Sequence, residues 1–169
     1  REVLVMPANG LTNGAQPVLS FNYGARKNGR VKQGIRFTTM ICVLYTCMAW
    51  ALTLLFPRFF IQIFNDEPGL LQAGVGAMHI YFFGFCFMAL QFSGQAVFVG
   101  LGQAKYAVTF SLLRKVVIVV PLTFLLPLIP GVGLYGVFLA EPISNVLGGC
   151  ACFFTMLAVI WNRKLKDDI

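Results

Sequence analysis

From Phe37 to Phe56 the sequence carries no Asp, Glu, Lys or Arg, and Pro57-Arg58 closes the run. A helix of about 20 apolar residues is what a lipid bilayer's hydrocarbon core requires. Lipid offers no hydrogen bonds to a backbone, so a run of this kind crosses as a helix. Three more stretches have the length: Leu70 to Leu101, with only His79 ionisable near neutral pH; Ala104 to Leu128, interrupted by Arg114 and Lys115; and Gly136 to Trp161, with Glu141 inside it. A fifth, from Val3 to about Tyr23, is mostly apolar but holds Pro7, Asn9, Asn13 and Gln16, and is expected as an incomplete span. The fold class is therefore all-α, a polytopic membrane helix bundle with four complete transmembrane helices plus the end of a fifth. The expected spans are about 3–23 (partial), 34–56, 70–101, 104–128 and 136–161. Composition agrees: 58% of residues are hydrophobic and 11% charged, against about half and about a quarter in soluble domains.

The connections are short. Pro57 to Pro68 carries Asp66 and Glu67, Gly102-Gln103 is a tight junction, and Ile129 to Tyr135 is a Pro/Gly turn. Between Ala15 and Gly34 the bases gather: Arg26, Lys27, Arg30 and Lys32 follow Asn22, Tyr23 and Gly24. Walking along the spans puts all but Arg1 and Arg58 of the 13 Lys and Arg residues on one side. Basic loops stay in the cytoplasm, so that side is cytoplasmic, the C-terminus included, in a plasma (inner) membrane. On this reading Arg114 and Lys115 lie about two turns into their helix and snorkel to the headgroups. Gly24 ends its helix in a left-handed conformation, with Asn22 and Tyr23 at headgroup depth. The bases between apolar runs are topology signals rather than a nucleic-acid patch. The five cysteines all lie inside apolar runs without metal spacing and read as small buried hydrophobes. The opening residues lack the basic and short apolar regions of a signal peptide and look like the middle of a longer polypeptide.

Three segments carry a family resemblance. Gln16, Pro17, Ser20, Asn22, Tyr23, Gly24 and Ala25, followed by the basic run, resemble the loop after the eighth helix of the multidrug and toxic compound extrusion (MATE) transporters. Val99 to Lys115 resembles their segment joining helices ten and eleven. Gly133 to Gly148, around Pro142-Ile143-Ser144, resembles the beginning of helix twelve. The three occur in family order. The resemblance implies a twelve-helix exporter of two six-helix lobes, of which this chain would be part of the C-terminal lobe. The missing N-terminal lobe and helix seven would come from the same polypeptide or another chain. It implies a secondary active antiporter that exports small organic, often cationic compounds in exchange for H+ or Na+, with no catalysis, cofactor or nucleic-acid partner. The bacterial branch of DNA-damage-inducible and multidrug exporters is the nearer likeness. Some sodium-coupled relatives have an Asp where this chain reads Met88-Ala89-Leu90-Gln91, and relatives often have Asp at Asn145. Two other readings remain: a lipid-linked oligosaccharide flippase of the same superfamily, against which the bases at the rim argue, and a small four-helix membrane assembly protein.

Candidate ion or substrate residues follow from polarity inside spans. Glu141 is the only acid in one, where a charge costs roughly 2.5–3.5 kcal/mol. It is either a proton or cation site or an acid near the external headgroups. Asn145 lies one helical turn on, and Pro142 either bends the helix or sits in its first turn. Gln91 and Gln95, four apart, share a face and serve either substrate and water or interhelical packing. His79 reads as a structural histidine before a proton relay, and the aromatic run from Tyr81 to Phe98 mostly as lipid-facing residues. In the complete protein, Glu141→Gln is expected to abolish coupled export and leave expression intact.

Overall fold

The computed structural model describes residues 2–62, 68–128 and 135–165. Among these there is no strand. The helices are α1 (Glu2–Gly24), α2 (Asn28–Leu55), α3 (Pro57–Gln62), α4 (Pro68–Phe82), α5 (Met88–Gly100), α6 (Ala104–Leu112), α7 (Val120–Leu125) and α8 (Tyr135–Met156). Among the described residues four stretches are long and apolar enough to cross a membrane: Asn28–Leu55, Gly74–Gly100, Ala104–Leu128 and Gly136–Asn162. They fall on the four runs picked out by hydropathy. The fifth, mostly apolar run is also helical, and α1's 23 residues measure about 35 Å at 1.5 Å per residue.

The span expected from Leu70 to Leu101 is broken. After α4 the chain turns at Gly84, which has φ +75°, and takes one tight turn at Phe85–Phe87 before α5 begins. A positive φ costs an L-residue about 1–2 kcal/mol that glycine escapes. The third span bends differently. Between α6 and α7, Leu113–Val119 forms a wide π-helical turn, closed by Pro121, which has no N–H to continue an ordinary ladder. A second wide segment, Leu157–Lys164, follows α8.

Helix α5 is the hub. It packs on α8, α1 and α2, and buries Met88, Ala89, Gln91, Ser93, Gly94, Ala96, Val97, Phe98 and Gly100. In the most apolar window of its span 61% of residues are buried, against 6% for the window in Ala104–Leu128. The third span is thus the least covered of the four. The core divides in two. One cluster joins Leu19, Val31, Ile35, Val97, Phe98, Leu101, Met156, Ile160 and Leu165. It ties the start of α2, the Gly102 junction and the chain's final segment to one end, the end where Arg26, Lys27, Arg30 and Lys105 are exposed. The other joins Val5, Ala49, Phe82, Phe85 and Met88. Between them along α5 lies a polar layer.

The junction after α1 differs from expectation. Gly24 does not take the left-handed conformation; Arg26 does, with φ +56°. The chain stays hydrogen-bonded past Gly24, with the Ala25 N–H donating to the Phe21 carbonyl and the Lys27 N–H to that of Asn22, so the reversal falls two residues later. Gly102, at φ +72°, makes the tight junction expected of it. Asp66, Glu67, the turn at 129–134 and Lys166 lie outside the described residues.

Candidate functional site

The polar layer is built around Arg114. This residue does not snorkel to the headgroups: it is 4% exposed, inside the bundle. The wide turn that starts at Leu113 adds a residue to the helical repeat and parts the two neighbouring bases. Arg114 turns inward, while Lys115, Val116 and Val117 stay exposed. Its guanidinium bridges two helices. Nη1 donates to Gln91 Oε1 of α5 at 2.8 Å, and Nη2 donates to Glu141 Oε1 of α8 at 3.1 Å. Glu141 is 8% exposed and packed inside the bundle at this contact. The two charges form a buried ion pair with a neutral amide as third member. Removing one partner from such a pair leaves an uncompensated buried charge.

Helix α8 is shaped for this contact. Pro142 is interior rather than in the first turn, since the helix starts at Tyr135. Ser144 Oγ donates to the Glu141 carbonyl at 2.8 Å. Asn145 is 1% exposed on the same inward face, and its Oδ1 has no hydrogen-bond partner. An orphaned buried acceptor costs about 1–3 kcal/mol.

The structure thus brings Gln91 and Glu141 together through Arg114, with Asn145 one turn from the acid. It sends Gln95 elsewhere. Gln95 Nε2 donates to Ser111 Oγ of α6 and helps line an open hollow of about 210 Å³ between α1 and α5. The other polar lining residues are Asn9, Thr12, Asn13 and Gln16, spaced i, i+3, i+4 and i+7 on one stripe of α1. That spacing was available in the sequence as a polar helical face; only its partner was not. Phe92 forms the apolar wall. Both glutamines hydrogen-bond the third span, Gln91 with Arg114 and Gln95 with Ser111, and Gln95 also borders the hollow beside α1.

The remaining residues singled out by sequence lie apart from the polar layer. His79 sets Nδ1 2.9 Å from the Val75 carbonyl and Nε2 3.3 Å from that of Leu54. Asn22 Nδ2 donates to the Val18 carbonyl at 2.8 Å, Tyr23 packs on the core at the basic end, and Lys32 Nζ stands 5.8 Å over the Trp161 ring. Of the aromatic run, Phe82, Phe85 and Phe98 are core rather than lipid-facing, and Phe98 stacks on Tyr106 and Phe110.

Comparison with known proteins gives a consistent result. No curated protein matches the chain. Among solved structures, a ligand complex of the MATE multidrug transporter DinF-BH is 30% identical, with a TM-score of 0.82, covering 95% of this chain and 35% of that one. An inward-facing multidrug resistance MATE family transporter of the MOP superfamily is 16% identical with a TM-score of 0.89, covering 99% and 39%. An outward-facing one is 17% identical with a TM-score of 0.89, covering 99% and 37%. The chain therefore spans between about a third and two fifths of the solved structures it matches. The family model MatE matches residues 2–125, and with these likenesses it establishes that the chain belongs to the MATE family of membrane transporters.

Proposed function

We propose that this chain is part of the C-terminal lobe of a secondary active antiporter that exports organic, often cationic compounds, and that Glu141 carries the coupling proton. The observation that supports this most is the Arg114–Glu141 ion pair within the bundle, tied to Gln91. A buried charge pair is weak evidence for stability, and ionisable groups inside membranes commonly mark ion pathways. The guanidinium beside the carboxylate favours a proton over Na+ in this reading. It repels a second cation, so Na+ is disfavoured at Glu141. A proton instead cancels the carboxylate's charge and releases Arg114, which keeps Gln91 as an acceptor. Asn145 Oδ1, one turn away, is an acceptor for a water that delivers the proton. Alternating access follows if the bundle rocks as a unit against the other lobe; the chain's equal likeness to inward- and outward-facing folds is in keeping with that. The basic end faces the cytoplasm by the positive-inside bias. The 30% identity to DinF-BH favours the bacterial exporter branch. A flippase reading gains nothing from the inward Arg114, whose charge is met by Glu141.

The ion pair changes how this must be tested. Glu141→Gln alone removes the carboxylate from the Arg114 guanidinium, so lower abundance is expected beside the loss of export. The test is proton-driven dye efflux by the complete transporter carrying Arg114→Gln with Glu141→Gln. A coupling role predicts a folded, abundant protein without gradient-driven efflux. Efflux at the wild-type rate in that double variant would sink the proposal.

A further inference from the structure

A second site lies on the outside of the bundle, away from the polar layer. Near the basic end, α2 and the end of α8 leave between them an open groove of about 380 Å³ lined by Ile35, Arg36, Thr39, Met40, Phe153, Leu157 and Trp161. The lining is ordered along the groove. On α2 the positions from Lys32 to Met40 recur at helical spacing and extend about 12 Å. Lys32 comes first, Arg36 about one turn on, and Thr39 and Met40 about one turn deeper still. On the facing element, Trp161, Leu157 and Phe153 recur every fourth residue in the opposite direction. One end is therefore cationic and aromatic, and the rest apolar. Arg36 is exposed, and Lys32 stands over Trp161.

Two features separate this groove from a plain lipid-facing surface. Trp161 is an amphipathic ring of the kind that settles at headgroup depth, beside two cations that belong there. Thr39 Oγ1 is buried without a hydrogen-bond partner, whereas Thr12, Thr46, Thr53 and Thr123 each donate to a carbonyl of their own helix. The groove thus holds a polar atom that its own helix does not satisfy.

We infer that this groove is a binding site for one anionic phospholipid, its phosphate held by Arg36 and Lys32 at the Trp161 end and an acyl chain laid along Ile35, Met40, Leu157 and Phe153. Charge decides the occupant. Basic pockets between spanning helices take anionic headgroups, and each base near the surface strengthens binding roughly fivefold, so the pair is expected to contribute about 30-fold. A zwitterionic lipid gains little from either.

The test uses the complete transporter, delipidated and titrated with phosphatidylglycerol or phosphatidylcholine while bound lipid is counted by native mass spectrometry. The expected result is one phosphatidylglycerol retained per chain, with phosphatidylcholine weaker by more than tenfold. Lys32→Gln with Arg36→Gln should remove that preference. Leu157→Trp, which fills the groove and keeps both charges, should remove the bound lipid. Equal retention of the two lipids overturns the inference, as does unchanged phosphatidylglycerol retention in either variant. Displacement of the lipid by inorganic phosphate alone also overturns it, since the site would then serve a free anion.

Discussion

Gly148 of α8 lies against the aliphatic stem of Arg114, so closely that a Cβ at position 148 would stand 2.9 Å from Arg114 Cγ and 3.2 Å from its Cβ and Cδ. The glycine is the slot through which the arginine reaches Glu141. Gly148→Ala should push the stem aside and loosen the ion pair, at a cost of about 1–3 kcal/mol for overpacking. The check is thermal unfolding of the complete protein, with a clear fall in Tm expected. An unchanged Tm would mean that the stem moves freely.

The ion pair itself predicts strong non-additivity. Arg114→Gln or Glu141→Gln alone should each destabilise by about 3–5 kcal/mol, because each strands a buried charge. Together they should cost much less than the sum. A double-mutant cycle on unfolding midpoints measures the coupling; additive losses would contradict the geometry described.

At the break in the second long span, Gly84→Ala meets two penalties. The left-handed backbone costs about 1–2 kcal/mol, and the new Cβ would lie 3.3 Å from Val146 Cγ2. The expected outcome is a lower Tm, larger than that for Gly76→Ala, where a Cβ meets nothing within 4 Å and the helix gains propensity.

The hollow between α1 and α5 should govern selectivity and leave stability nearly alone. Asn13 is exposed and Gln95 half-buried. Asn13→Leu and Gln95→Leu are expected to change the ratio of KM values for two dyes in efflux assays, with stability altered by no more than about 1 kcal/mol. Equal KM ratios in wild type and variants would exclude the hollow from substrate recognition.

Much of the bundle was legible because bilayer thickness imposes length and apolarity directly on sequence. Phe37 to Phe56 could be read without any partner, and the four spans fall where hydropathy put them. Arg114 was not legible. Next to Lys115 it looks like half of a rim pair, and a π turn leaves no periodic signature in seven residues. Only the approach of Glu141, 27 positions later in the chain, identifies its role. Gln91 and Gln95 show the same limit. Their spacing correctly gives one helix side, yet that this side meets Arg114 and Ser111 of the third span depends on contacts that spacing does not encode. Gly24 shows a third: glycine permits a left-handed residue, but the hydrogen bonds of Ala25 and Lys27 carry the chain past it to Arg26.

The interruption at Gly84 has a consequence for biosynthesis. Backbone that leaves the helical ladder at membrane depth must be shielded from lipid by protein. Here much of the shield is α8, whose Pro142 carbonyl lies 3.7 Å and Val146 Cγ2 3.3 Å from where a Gly84 Cβ would be. Helix α8 begins 51 residues after Gly84, at Tyr135. When the segment around Gly84 enters the bilayer, its cover has not yet followed it into the membrane. The second long span must therefore wait, held at the insertion machinery or in a straighter form, and takes its broken shape only when the last span arrives.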